Sequence, residues 1–191
     1  FFVNASTISG GVTNSGIITA GDDAFDVDTK SNISGGVNNS GTITAGVDAF
    51  QVNASTISGG IVNSGTITGG TNAFNLVNVT LPINITNSGL INGTVILDVG
   101  ILRLDGLTGR VTGSVTGGAG STVAVNGTFT TENTFSVDNF AINAGGRLNI
   151  GHGVTTTSGM SSAGTLAVAS GVNATVTGNY TQAAGGNFEI S

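Results

Sequence analysis

The chain repeats itself. Ile-Ser-Gly-Gly begins at Ile8, Ile33 and Ile57, and Asn-Ser-Gly begins at Asn14, Asn39, Asn63 and Asn87, in steps of 25, 24 and 24 residues. Whole columns align at that period. They are Phe1, Phe25, Phe50, Phe74; Val3, Val27, Val52, Leu76; and Ile8, Ile33, Ile57, Leu81. Two more run Val12, Val37, Ile61, Ile85 and Ile18, Ile43, Ile67, Ile91. A fixed period of this size means that each copy is one supersecondary unit that buries its apolar face only against its neighbours.

Inside each copy the apolar spacing is two, as in Phe50-x-Val52, with no sustained i, i+3, i+4 pattern, so helical repeats are excluded. No L-x-x-L-x-L core marks a leucine-rich repeat. Short β-branched segments between Gly-Gly and Asn-Ser-Gly punctuation predict an all-β right-handed parallel β-helix (a β-solenoid) with three strands per coil. Coils then stack at about 4.8 Å and equivalent residues sit above one another. The Phe column fills the lumen by ring stacking, and the aliphatic columns pack around it.

The Asn column (Asn14, Asn39, Asn63, Asn87) predicts side-chain amides that bond both to their own turn and to the Asn one coil away. The glycines two residues on (Gly16, Gly41, Gly65, Gly89) are expected to supply a positive φ at the corner.

Residues 1–97 hold the regular 24–25-residue repeats. Over 98–191 the register loosens: Asp98 is expected to break the Phe column, and turn lengths vary. Alternating pairs persist at Leu102/Leu104, Val123/Val125, Leu148/Ile150, Leu166/Val168 and Phe188/Ile190, four of them preceded by an Ala-Gly turn. These predict continuing, less regular coils of the same solenoid, with Val123/Val125 and Leu148/Ile150 as successive copies. At 24 residues per coil the chain holds about eight coils, a rod of roughly 38 Å.

Composition removes several functions. Cys is absent, which excludes disulfides, thiolate metal sites and a cysteine nucleophile. Four Lys+Arg against ten Asp+Glu argue against nucleic acid as partner. No run approaches the ~18 apolar residues of a membrane helix.

The segments Ala163-Gly-Thr-Leu-Ala-Val168, Gly178-Asn-Tyr-Thr-Gln182 and Gly185-Gly-Asn-Phe-Glu-Ile190 resemble passenger repeats of bacterial autotransporters, as do the Asn-Ser-Gly-Thr-Ile-Thr copies. That resemblance implies export through an outer membrane, a right-handed β-helix, and a place outside the cell or on the bacterial outer surface as adhesin or scaffold. The family's C-terminal membrane barrel does not follow Ser191, so this segment is not expected to insert into a membrane by itself.

Chemistry-bearing residues are few. Asp22, Asp23, Asp26 and Asp28 form the one dense carboxylate cluster and the weak candidate for Ca2+. Against it, the equivalent turns of later coils lose their carboxylates while the coil survives. No cofactor and no catalytic residue is expected. His152, in Ile150-Gly-His-Gly-Val154, reads as a solvated turn residue, and Arg103 with Asp105 as an exposed pair.

Two functions follow as expectations. The first is a non-enzymatic surface module whose partners are host or other-cell surface glycans or proteins. The second is a filament subunit that stacks end to end on other copies. Phe1 starts in mid-repeat and the chain ends on a strand-like Phe188-Glu-Ile-Ser191, with neither end capped. This is expected of a segment cut from a longer solenoid or of a mature subunit capped by another copy. Phe1, Phe2, Phe188 and Ile190 are its candidate contacts.

Overall fold

The computed structural model describes residues 1–190. Among them every regular element is a strand, all paired strands run parallel, and they stack as a β-solenoid of about nine turns. The first wall begins with Phe2–Asn4, Phe25–Asp28 and Asp48–Asn53, continues through the later parts of Thr66–Val77 and Leu90–Ile96, and ends at Ala174–Val176. The second wall runs from Val12–Asn14 and Val37–Asn39 through Ile101–Leu104 and Thr122–Val125 to Asn179–Gln182. The third starts with Ile17–Ala20 and Thr42–Ala45; in the later coils Thr128–Thr130, Arg147–Ile150, Thr165–Val168 and Asn187–Ile190 follow the second wall as a separate sheet.

Repeated residues stack because the pairing is in register. Phe25 lies on Phe50 with ring centroids 4.6 Å apart and 7° between planes, and Phe50 on Phe74 at 5.0 Å and 12°. All three are fully buried, and each offset-stacked pair adds about 0.5–1.5 kcal/mol beyond burial. The amides form a second ladder: Asn14 donates to Asn39, Asn39 to Asn63 and Asn63 to Asn87, each Nδ2 to the next Oδ1 at 2.7–2.8 Å. Each Nδ2 also reaches the carbonyl of Thr42, Thr66, Leu90 or Arg110 on the third-wall strand of the next coil at 3.1 Å. The predicted amide chemistry is therefore present, and it ties the corner together as well as the ladder.

Several expectations are corrected. Gly16, Gly41, Gly65 and Gly89 do not carry a positive φ; Gly36 and Gly60, which end two of the Ile-Ser-Gly-Gly words, do, both at 75°. The glycine after each Asn-Ser is needed for closeness instead. A Cβ on Gly41 would stand 2.1 Å from the carbonyl oxygen of Gly16, and one on Gly65 2.0 Å from that of Gly41.

Leu81 does not extend the Ile8, Ile33, Ile57 column; it is 60% exposed, while Val79 and Ile83 are buried. That column lies on a short arm between the first and second walls, where Thr7–Ile8 pairs with Asn32–Ile33 and a single bridge joins Asn32 to Thr56. Pro82, next to Leu81, has no N–H to give a ladder, and the arm ends its pairing there.

Nor does Asp98 take the Phe position. Phe74 pairs with Val95, and the column runs on through Val115, Phe135, Val154 and Ala174 at 19–20-residue steps. The coils shorten because the arm disappears, and in Phe135–Ile142 and Val154–Ser162 one bent strand serves both walls. Shorter coils make nine turns where eight were expected.

Val123 and Val125 lie under Phe140 and Ile142 on the second wall, whereas Leu148 stacks on Phe129 and Leu166 in the other sheet. Val123/Val125 and Leu148/Ile150 are therefore not successive copies of one position.

Candidate functional site

The acidic corner is spread over two elements. Asp22 and Asp23 lie before the strand Phe25–Asp28, and Asp26 and Asp28 alternate with buried Phe25 and Val27, so their carboxylates face outward. Asp23 Oδ1 accepts the Asp48 amide at 2.9 Å. Asp28 Oδ1 accepts the Thr29 amide at 2.7 Å and Asn53 Nδ2 at 3.1 Å. Among the described residues no group of three or more His, Cys, Asp or Glu is arranged to hold a metal ion.

Asp48 is 4% exposed and is satisfied by the next coil, Asn72 Nδ2 reaching Oδ1 at 2.8 Å and Asn75 Nδ2 reaching Oδ2 at 2.7 Å. Loss of carboxylates in the third copy, noted from the sequence, thus supplies the donors that Asp48 needs. Among the described residues Asp26 has no such donor. Burial first, then the charges of Asp23 and Asp28, pushes its carboxyl above the ordinary range, with the N-terminal ammonium opposing them. Its register partner is Gln51, whose Oε1 is buried without a hydrogen-bond partner.

One carboxylate that sequence reading passed over is better built. Asp138 is 9% exposed and joins three coils. Oδ2 accepts the Gly120 amide at 2.8 Å and Asn139 Nδ2 at 3.2 Å; Oδ1 accepts the hydroxyls of Thr157, at 2.7 Å, and Ser158. The Ser158 hydroxyl, the Gly120 amide and the Thr157 hydroxyl hold its carboxyl below the ordinary range against desolvation. A signal for it did exist. The apolar phase slips by one between Phe135-x-Val137 and Phe140-x-Ile142, and Asp138 occupies the slip, where the pairing register shifts.

His152 is an exposed turn residue whose Nδ1 lies 3.1 Å from the Thr131 carbonyl oxygen. Arg103 and Asp105 form no ion pair; Asp105 accepts Asn126 Nδ2 at 2.6 Å instead. The ion pairs among the described residues are Arg110–Glu132 and Arg147–Glu189, both bidentate and both on the surface. Each joins different coils, a separation that a two-residue spacing in sequence cannot reveal.

A cavity of about 470 Å3 opens at the last described rung, lined by Met160, Leu166, Val176, Tyr180, Phe188 and Ile190. Phe188 and Ile190 are 47% and 76% exposed. At the opposite end Phe1 tilts 49° from Phe25 at 5.2 Å, out of the parallel stack that Phe25, Phe50 and Phe74 keep. Phe2 alternates with buried Val3 and therefore faces sideways, pairing beside Asp26, so of the four candidate end contacts it does not line the end of the lumen.

In the first four coils the outward positions of the third wall form uncharged columns, and the charge begins at Arg110 in the fifth. Thr19, Thr44, Thr68 and Asn92 are register partners in succession, and Thr112 Oγ1 donates to Asn92 Oδ1 at 2.7 Å. Thr42 and Thr66 pair beside them. Comparisons with family models, curated proteins and solved structures return no match for this chain.

Proposed function

We propose that this chain is a non-enzymatic scaffold of an extracellular or bacterial outer-surface protein, an adhesin-like passenger whose solenoid presents its side walls to a partner. The observation that carries the reading is the hydroxyl and amide column Thr19, Thr44, Thr68, Asn92 on the third wall, with buried Ile43 and Ile67 behind it. Over its first four coils such a wall offers hydrogen-bond donors and acceptors at the fixed strand spacing of about 4.8 Å and no charge. It suits a neutral, hydroxyl-rich surface such as a glycan better than an ionic ligand, because Ser, Thr and Asn exchange water for sugar hydroxyls without desolvating a charge. The resemblance of the Gly178–Gln182 and Gly185–Ile190 words to autotransporter passengers supports the same setting.

The test is binding of the purified chain to a glycan panel and to fixed cells, beside the double variant Thr44→Lys/Thr68→Lys. Both positions are half-buried and outward, so the variant keeps the lumen intact. Binding by the parent that the variant loses is the expected result. Binding retained by the variant, or none by the parent, would overturn the reading.

A further inference from the structure

We propose that Asn92-Gly93 is a self-modifying site, at which the backbone nitrogen of Gly93 attacks the Asn92 side chain and turns its amide into a carboxylate. The chain holds two Asn-Gly pairs with nearly identical flanks, Ile91-Asn-Gly-Thr94 and Val125-Asn-Gly-Thr128. Both asparagines are exposed, so neither flanks nor exposure tells them apart. The fold does. Gly93 sits at the corner between the third and first walls, where pairing breaks on both sides. Toward the preceding coil the register jumps from Thr68 with Asn92 to Asn72 with Thr94; toward the next it stops at Ile91 with Val111 and resumes at Val95 with Val115. Its φ of 125° is one that a residue with a side chain rarely adopts. Asn92 Nδ2 has no partner among the described residues, and Oδ1 accepts the Thr112 hydroxyl at 2.7 Å.

At Asn126 every participating group is tied down. Nδ2 donates to Asp105 Oδ1 at 2.6 Å, Oδ1 accepts Asn143 Nδ2 at 2.5 Å, and the Gly127 N–H donates to the Leu104 carbonyl at 3.2 Å. The Asp105 carboxylate also opposes negative charge on that amide. At Asn92 the arrangement favours attack. The Gly93 nitrogen gives up its proton, and its lone pair forms the bond to Cγ. Charge then develops on Oδ1, where the Thr112 hydroxyl binds it more strongly than it binds the neutral amide. The tetrahedral centre collapses, the Cγ–Nδ2 bond breaks, and Nδ2 leaves as ammonia with the proton that the Gly93 nitrogen lost. Water opens the resulting succinimide at either carbonyl, giving isoaspartate or aspartate. One water enters and one ammonia leaves, with nothing oxidised or reduced. The product sets a carboxylate at the fourth place of the column Thr19, Thr44, Thr68, Asn92, which is otherwise uncharged. This chemistry goes beyond the scaffold reading and does not depend on it.

Peptide mapping by mass spectrometry, during incubation of the whole chain at mildly alkaline pH, tests the proposal, with isoaspartate read separately by enzymatic methylation. In the folded chain Asn92 is expected to convert at least about tenfold faster than Asn126, whose hydrogen bonds must open first. In urea the two should convert at similar rates, because their flanks match. Thr112→Val should slow Asn92 about fivefold, which is what one hydrogen bond contributes, and Thr112→Ser should keep the parent rate. A folded chain in which Asn92 stays intact, or only keeps pace with Asn126, would overturn the proposal. So would a Thr112→Val variant that melts like the parent and reacts as fast. None of these outcomes bears on glycan binding, which the Thr44/Thr68 variant reads.

Discussion

Asn63 Nδ2 donates to Asn87 Oδ1 at 2.7 Å, and the position above Asn87 in the same column is Leu104. The amide ladder therefore has an interior and an end, and the same substitution costs different amounts at the two places. Asn63→Leu removes the ladder partner of both Asn39 Nδ2 and Asn87 Oδ1 in a buried column, and its own bond to the Leu90 carbonyl. Asn87→Leu removes one ladder partner, that of Asn63 Nδ2, and its own bond to the Arg110 carbonyl, because Leu104, Val125 and Ile142 already make the column apolar beyond it. At about 1–3 kcal/mol per buried group left without its partner, Asn63→Leu should cost more than Asn87→Leu by about that amount, the one extra ladder partner lost. Urea melts of the two variants check this; equal losses would mean that each amide acts through its own turn alone.

Gly65→Ala should be severely destabilising, by about 3 kcal/mol or more, as a Cβ placed 2.0 Å from a backbone oxygen forces the coils apart. Gly16→Ala, at the equivalent point of the first coil, meets nothing within 4 Å and has no positive φ. It should be neutral or raise stability by up to about 1 kcal/mol through the unfolded chain. Thermal melts of the pair measure closeness separately from conformation.

A column of non-glycine residues turns the corner after the first wall in the left-handed region: Ala5 at φ 46°, Ala54 at 47° and Asn78 at 54°. An alanine pays about 1–2 kcal/mol there. Ala54→Gly, relieving that strain at the price of chain entropy, should gain about 0.5–1 kcal/mol. A lower melting temperature would show that its methyl group is packed more tightly than the backbone is strained.

Asp26 and Asp138 give opposite pH dependences. The carboxyl of Asp138 titrates below its unfolded value of about 3.9, so its contribution is present above that pH and is lost as pH falls through the folded value. Asp26 titrates above its unfolded value, so its contribution favours the fold below about pH 3.9 and is lost as pH rises through the folded value. Asp138→Asn should lower the melting temperature at pH 7 and flatten the acid side of the profile. Asp26→Asn should raise it at pH 7, where the charged form is penalised, its new amide facing the unpartnered Gln51 Oε1. Melting curves from pH 3 to pH 7 decide both; a parallel shift at all pH values would show that titration is not the cause.

The Phe, Asn and Ile columns of the first four copies were legible without coordinates. Identical residues at a constant step in a β pattern have no partners able to bury them except each other, and so the period alone dictates stacking and register. From Val95 on, the Ile-Ser-Gly-Gly and Asn-Ser-Gly words are gone, and alternation by itself does not tell which wall a pair belongs to. Val123 and Leu148 look alike as letters; corner lengths send one onto Phe140 and the other onto Leu166. The candidate sites divide in the same way. The carboxylates of Asp22, Asp23, Asp26 and Asp28 were visible because they are neighbours in sequence, whereas Asp138 draws its donors from Gly120, Thr157 and Ser158, one coil to either side. The role of glycine also waited for the fold: a local sequence shows that Gly65 lies at a corner, but only the stacked coils bring the Gly41 carbonyl to where its side chain would have been. Sequence determines what repeats, because repetition is a property of one strand and its copies. Tertiary structure decides what touches across unequal coils, because that depends on how much chain each corner consumes.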